Sequence, residues 1–140
     1  MTNTFKPLTT LLYEIPLLIN NSIIANEIKF YNGNIDEMDA DAITIIACRI
    51  GDIIVENMNV NFALVNQIFD TLNDLLTGEF DNLKEAFCNE LFEQINFADN
   101  MTKKEFVLIN LLISKKKNLL RYFEDWKTSG YTQHFNWIFH

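Results

Sequence analysis

Asp41-Ala-Ile-Thr-Ile-Ile-Ala-Cys-Arg-Ile-Gly-Asp-Ile-Ile-Val-Glu56 decides the fold class. Ile43, Ile46, Ala47, Ile50 and Ile54 fall at i, i+3, i+4, i+7 and i+11, the period of a helix that buries one side. Ile45 and Ile53 widen the stripe, which predicts a central helix. Its start near Asp36 to Asp41 is acidic, as the positive end of a helix dipole favours. Gly51 lies inside this helix, where glycine costs about 1 kcal/mol against alanine. A close helix–helix contact there is the simplest reason for it.

The helical pattern extends in both directions. Pro7 suits a first turn, and Leu8, Leu11, Leu12 and Ile15 keep helical spacing until Pro16 ends or kinks the helix. Leu17 to Ile19 and Ile23-Ile24 are short apolar pieces. Glu27-Ile-Lys-Phe-Tyr31 alternates and reads as extended, and Asn32-Gly33-Asn34 is a turn signal. Asn59 or Asn61 caps the next helix, which buries Val65, Ile68, Phe69, Leu72, Leu75 and Leu76 and is followed by Gly78. Asp81 caps another, with Leu83, Phe87, Leu91 and Ile95 inward. Thr102-Lys-Lys-Glu105 is a capping box. It opens a helix carrying Phe106, Ile109, Leu112 and Ile113. Ser114-Lys-Lys-Lys117 either interrupts that helix or is a solvated turn of one long helix, whose apolar face continues in Leu119, Leu120, Phe123 and Trp126 to Ser129-Gly130. The tail Tyr131 to His140 is aromatic.

Of 140 residues, 49% are apolar, which is enough for a core. Two prolines and four glycines are too few for a turn-rich β-sandwich. No repeat or linker stands out. The expected architecture is therefore one all-α domain over residues 1–140, with about five or six antiparallel helices in a bundle or stacked pairs.

The N-terminus lacks the features of a secretory signal. The longest apolar run, Phe106 to Ile113, is far shorter than the roughly 20 residues a membrane helix needs. Cys48 and Cys88 lie forty positions apart, so no CxxC metal or redox site exists and buried free thiols are expected. A soluble, cytoplasmic protein follows from these features.

Motifs for chemistry are missing. There is no GxSxG, no HExxH, no Glu-x-x-His pair and no calcium loop; Asp36 to Asp41 lacks the glycine and distal glutamate of the last. The isolated glycines Gly33, Gly51, Gly78 and Gly130 build no phosphate loop, and both histidines, His134 and His140, sit in the tail. The expectation is a protein that is not an enzyme, with no cofactor and no catalytic or metal-binding residue.

Charge is the most informative feature. The net charge of −8 excludes a general nucleic-acid binder. It is also uneven. Residues 1–30 are neutral, residues 31–100 carry fourteen acids and two bases, and residues 101–140 carry three acids and seven bases. Asp52/Glu56, Asp70/Asp74 and Asp81/Glu85 are i, i+4 pairs, and Glu93 continues the last row. Like charges so placed destabilise a helix by a few tenths of a kcal/mol each. A solvated face that keeps the protein soluble is one explanation. The other is a surface for a basic partner, made of Asp52, Glu56, Asp70, Asp74, Glu85, Glu90 and Glu93. The Lys115 to Lys117 run reads as a solvated turn or as an internal counterweight to these acids.

Val65-Asn-Gln-Ile-Phe-Asp-Thr-Leu-Asn-Asp-Leu-Leu-Thr-Gly-Glu79, followed by Phe87-Cys-Asn-Glu-Leu-Phe-Glu-Gln-Ile95, resembles small all-α immunity proteins of bacterial polymorphic-toxin and contact-dependent inhibition systems. Asp74-Leu75-Leu76, Gly78-Glu79 and Leu91-Phe92-Glu93 carry the resemblance, which covers about residues 65–95. It implies an inhibitor that binds a cognate toxin and blocks its active or substrate-binding surface. A nucleic-acid-cutting toxin is commonly basic, which would give the acidic helices a partner. Other functions compete with this one. A helical adaptor resembling viral regulators of cell death would hold an amphipathic helix in an apolar groove, although the Asn-Trp-Gly-Arg signature is missing. An acidic nucleic-acid mimic would space carboxylates along one continuous face. An unrecognised enzyme would show a deep polar pocket with a perturbed acid.

Overall fold

Pro16 and Asn20-Asn21 cut the first thirty residues into three short helices. In the computed structural model, which describes residues 6–128 and side chains from Leu8 onward, α1 spans Lys6–Glu14, α2 Pro16–Ile19 and α3 Ser22–Phe30. Ile15, ahead of the proline, is extended (φ −121°, ψ 95°), because the proline ring crowds a helical predecessor. The Asn21 side chain accepts hydrogen bonds from the Ile23 and Ile24 N–H groups at 3.0 and 3.3 Å and starts α3. Glu27 to Phe30 is therefore helical, not extended. Ile24 and Ile28, at i, i+4, turn toward the core and outweigh a five-residue alternation.

The expected turn follows, with φ +55° at Asn32 and +84° at Gly33, and then a 3₁₀ turn at Ile35–Glu37. Asp39 accepts from the Ala42 N–H at 2.9 Å and caps α4 (Ala40–Asn57). Asn61 caps α5 (Phe62–Leu75), Asp81 caps α6 (Asn82–Asn96), and the Thr102/Glu105 capping box opens α7 (Lys103–Ser114). The lysine run breaks the chain: Lys116 leaves helical geometry (φ −118°, ψ 97°) and α8 (Lys117–Lys127) begins anew. The described residues thus hold eight α-helices and no strand, in place of five or six. The breaks near Pro16, Asn20 and Lys116 account for the difference. Ser129-Gly130 and the aromatic tail lie outside the described residues.

α8 has no cap of its own. Asn73 of α5 supplies it: its Oδ1 accepts from the Asn118 and Leu119 N–H groups, both at 2.9 Å, and the Asn118 Nδ2 donates to the Asn73 carbonyl at 3.0 Å. Beside it, the Lys116 ammonium turns inward onto Asp70, with Asn66 completing the cluster. Arg121 donates to the Gly78 carbonyl at 2.9 Å and lies over Phe80, which stacks on Tyr122.

α4, α6, α8 and α5 close a ring, each packed on the next and α5 back on α4. α7 lies against α8 and α5, α1 against α5, and α3 against α4. One contiguous core runs from Leu8 to Trp126. Phe92 meets Phe123 and Trp126 at centroid distances of 5.0 and 5.6 Å. The α4–α6 contact is close because of Gly51, where a Cβ would sit 2.8 Å from Gln94 Cβ and 3.1 Å from the Leu91 carbonyl oxygen. Ile43, Ile46, Ala47, Ile50, Ile53 and Ile54 are buried as expected, but Ile45 is 45% exposed.

Candidate functional site

The i, i+4 rule orients two carboxylates on one helix, but it does not say how neighbouring helices are turned. The single anionic face expected from Asp52, Glu56, Asp70, Asp74, Glu85, Glu90 and Glu93 resolves into three groups. Asp52 and Glu56 lie on the outer side of α4, where Arg49 reaches both at 3.2 and 3.8 Å. The Gln94 Nε2 of α6 also donates to Asp52, and Glu90, one turn earlier, lines the same cleft. These three acids come together.

Glu85 and Glu93 sit on the other side of α6, toward α8. A hydrogen bond to Asp125 raises the Glu85 carboxyl above its ordinary value, and partial burial and the Asp125 charge add to that. The Glu85 carboxyl therefore holds its proton more tightly than an isolated glutamate does. Burial raises Glu93 as well, Glu90 adds to this, and a hydrogen bond with Trp126 opposes it. The third group is on α5. Asp70 is paired with the protein's own Lys116, the counterweight that the lysine run offered, while Asp74 is exposed.

The acids of the first group belong to a groove that acid spacing alone does not reveal. A cleft of about 300 Å³ is lined by Ile23 of α3, by Thr44, Ile45, Cys48, Arg49 and Asp52 of α4, and by Glu90. A second, of about 220 Å³, shares Ile45 and adds Glu27, Phe30, Asp39 and Asp41. A third, of about 280 Å³, shares Asp52 and adds Glu56, Phe97 and Asp99. The three run end to end along α4. Asp41, Ile45, Cys48, Asp52 and Glu56 follow i, i+4, i+7, i+11 and i+15, a second helical stripe opposite the buried one. At about 1.5 Å per residue it is roughly 22 Å long.

The groove combines two surface types. Phe30, Phe97, Ile45 and Ile23 are 77%, 51%, 45% and 44% exposed. Among the described residues, seven carboxylates and one guanidinium line the three clefts. Ile45 was legible as part of a stripe, though of the wrong one. Ile23, Phe30 and Phe97 carry no signal in sequence, because their exposure depends on how α3 and the end of α6 meet α4.

Neither thiol is poised for attack. Cys48 donates to the Gln94 Oε1 at 3.0 Å, and burial, with Asp52 and Glu90 nearby, pushes its thiol up. Cys88 is fully buried and pushed far up. Among the described residues, no group of three or more His, Cys, Asp or Glu side chains could hold a metal ion, and no helix is long and apolar enough to cross a membrane. His134 and His140 lie outside the described residues. Compared with protein-family models, with curated proteins and with solved structures, the chain matches none.

Proposed function

We propose that this chain is a non-enzymatic, cytoplasmic protein-binding inhibitor whose α4–α6 surface engages a basic protein and works by covering it. The observation that carries the reading is the groove itself: exposed Phe and Ile side chains bordered, among the described residues, by seven carboxylates against one guanidinium. Apolar surface supplies affinity, and the field of the rim speeds encounter with a cationic partner and rejects anionic ones. The immunity-protein resemblance at residues 65–95 supplies the biological form of the proposal. The partner would be a cognate basic toxin, nuclease toxins being an example, whose active or substrate-binding surface is occluded. The exposed apolar floor also supports the second reading, an adaptor for an amphipathic helix. The division of the acids into three groups weighs against a phosphate-like row and hence against nucleic-acid mimicry.

Affinity capture from the native host with the whole chain as bait tests the proposal. The expected product is a basic protein held in a salt-sensitive complex, encoded beside this chain and toxic without it. Capture of only acidic partners, or a complex indifferent to salt, overturns it.

A further inference from the structure

The groove has the dimensions and chemistry of a helix receptor, and we infer that its occupant is a cationic amphipathic helix of about four turns presented by the partner protein. This inference rests on the protein-binding reading above and adds the shape and chemistry of the bound segment.

Three observations carry it. The groove follows α4 from Asp41 to Glu56, roughly 22 Å, the length of about 15 helical residues. Its exposed apolar side chains follow the row of clefts, Phe30 in the first, Ile23 in the middle one, Ile45 shared by those two, and Phe97 in the last. A helix meets such a row with anchors at i, i+3, i+4 and i+7. Carboxylates occupy both walls, Glu27 on the α3 side and Glu90 on the α6 side. The complement is therefore one apolar stripe flanked on both sides by lysine or arginine. Arg49 lies between the walls, held by Asp52 and Glu56, and its Nε is buried without an acceptor. A polar side chain on the incoming helix could provide one.

The chain itself displays one face of this kind. Lys104, Leu108, Leu111 and Lys115 follow i, i+4, i+7 and i+11 along α7 and are all exposed. Docking of α7 from a second copy would be heterologous, leaving a free groove and a free α7 at the ends of every assembly unless a ring closes. A foreign helix saturates the groove in a closed complex, and that is the occupant proposed here.

The test uses the full chain and two synthetic peptides of leucine and lysine, about 15 residues long to match the groove. One has leucines at helical spacing. The other has the same composition with the period broken. Binding is read by fluorescence anisotropy at low and high salt, and self-association by sedimentation. The expected result is one-to-one binding of the periodic peptide, weakened by salt and about tenfold weaker for the other peptide. Ile45→Lys, at an exposed position, should weaken binding about tenfold, and Val60→Lys, away from the groove, should leave it within about twofold. Circular dichroism verifies that both variants fold. Equal binding of the two peptides, or no effect of Ile45→Lys, overturns the helix-docking inference and leaves the basic-partner reading standing. Failure of both peptides at low salt overturns both. Self-association abolished by Ile45→Lys and by Leu111→Glu assigns the groove to a second copy and overturns the foreign-helix proposal.

Discussion

The α5–α8 seam and the α4 groove are built from the same kinds of residue and treat them in opposite ways. At the seam, polar groups find partners inside the molecule: Asp70 with Lys116, Asn73 with two N–H groups of α8, and Arg121 with the Gly78 carbonyl. Along the groove, among the described residues, carboxylates outnumber the one guanidinium that lines it, and four large apolar side chains face outward. An i, i+4 acid pair is therefore ambiguous until its neighbours in space are known. On α5 such a pair contributes a tether. On α4 two acids share the single Arg49 guanidinium, and the groove keeps a net negative field.

Substitutions that stress each region should separate the two roles. The largest effect is expected where the groove meets the core. Gly51→Leu forces a side chain against Gln94 and the Leu91 carbonyl, and overpacking of this kind costs about 1–3 kcal/mol, measurable by urea unfolding. At the seam, Asn73→Ala removes the acceptor shared by Asn118 and Leu119; loss of a cap costs about 1–2 kcal/mol, and amide exchange should speed up first at the start of α8. Asp70→Asn should cost about 1 kcal/mol or less, since the Asp70 side chain is 56% exposed. Added salt should shrink that difference. On the groove, Ile45→Ser should change stability by less than about 0.5 kcal/mol because Ile45 stands outside the buried core. A larger loss would mean that Ile45 serves the core after all.

The smallest effect concerns pH. Glu85 is raised in the folded protein, first by its hydrogen bond to Asp125. The folded state therefore takes up this proton more readily than the unfolded chain. The contribution to stability is fully present below the ordinary glutamate value of about 4.3 and is lost as pH rises through the folded value. Glu85→Gln should remove this dependence, so that the wild type loses more stability than the variant between mildly acidic and neutral pH in thermal melts. Identical slopes for the two proteins would refute the raised Glu85 carboxyl.

Most of the fold was legible because it rests on local signals. The Thr102/Glu105 capping box, the Asp81 and Asn61 caps, the turn at Asn32-Gly33 and the packing role of Gly51 are each written within a few residues. The break at Lys116 was open in sequence, since a lysine run is a good helix former. What decides it lies 43 to 50 residues away, in the Asn73 cap and in Asp70 and Asn66. The candidate site was legible in its charge but not in its extent. Asp52, Glu56 and Glu90 were in the expected set, whereas Asp41, Asp39, Glu27 and the apolar floor enter only once α3 and α6 are laid against α4. Ile45 shows the limit most clearly: its hydrophobicity suggested a wider buried stripe, but at i+2 from Ile43 it falls on the opposite side of α4 and is 45% exposed.

The central claim is that the groove side of the molecule, not the α5 side, meets the partner. Two double charge reversals compare them on equal terms: Glu56→Lys with Glu90→Lys in the groove, and Asp74→Lys with Glu79→Lys on α5 and the loop after it. Each pair makes the same change in net charge. Measured against the captured partner, the groove pair is predicted to weaken affinity by about tenfold or more and the α5 pair by no more than about twofold. Equal losses, or the reverse order, would contradict the account.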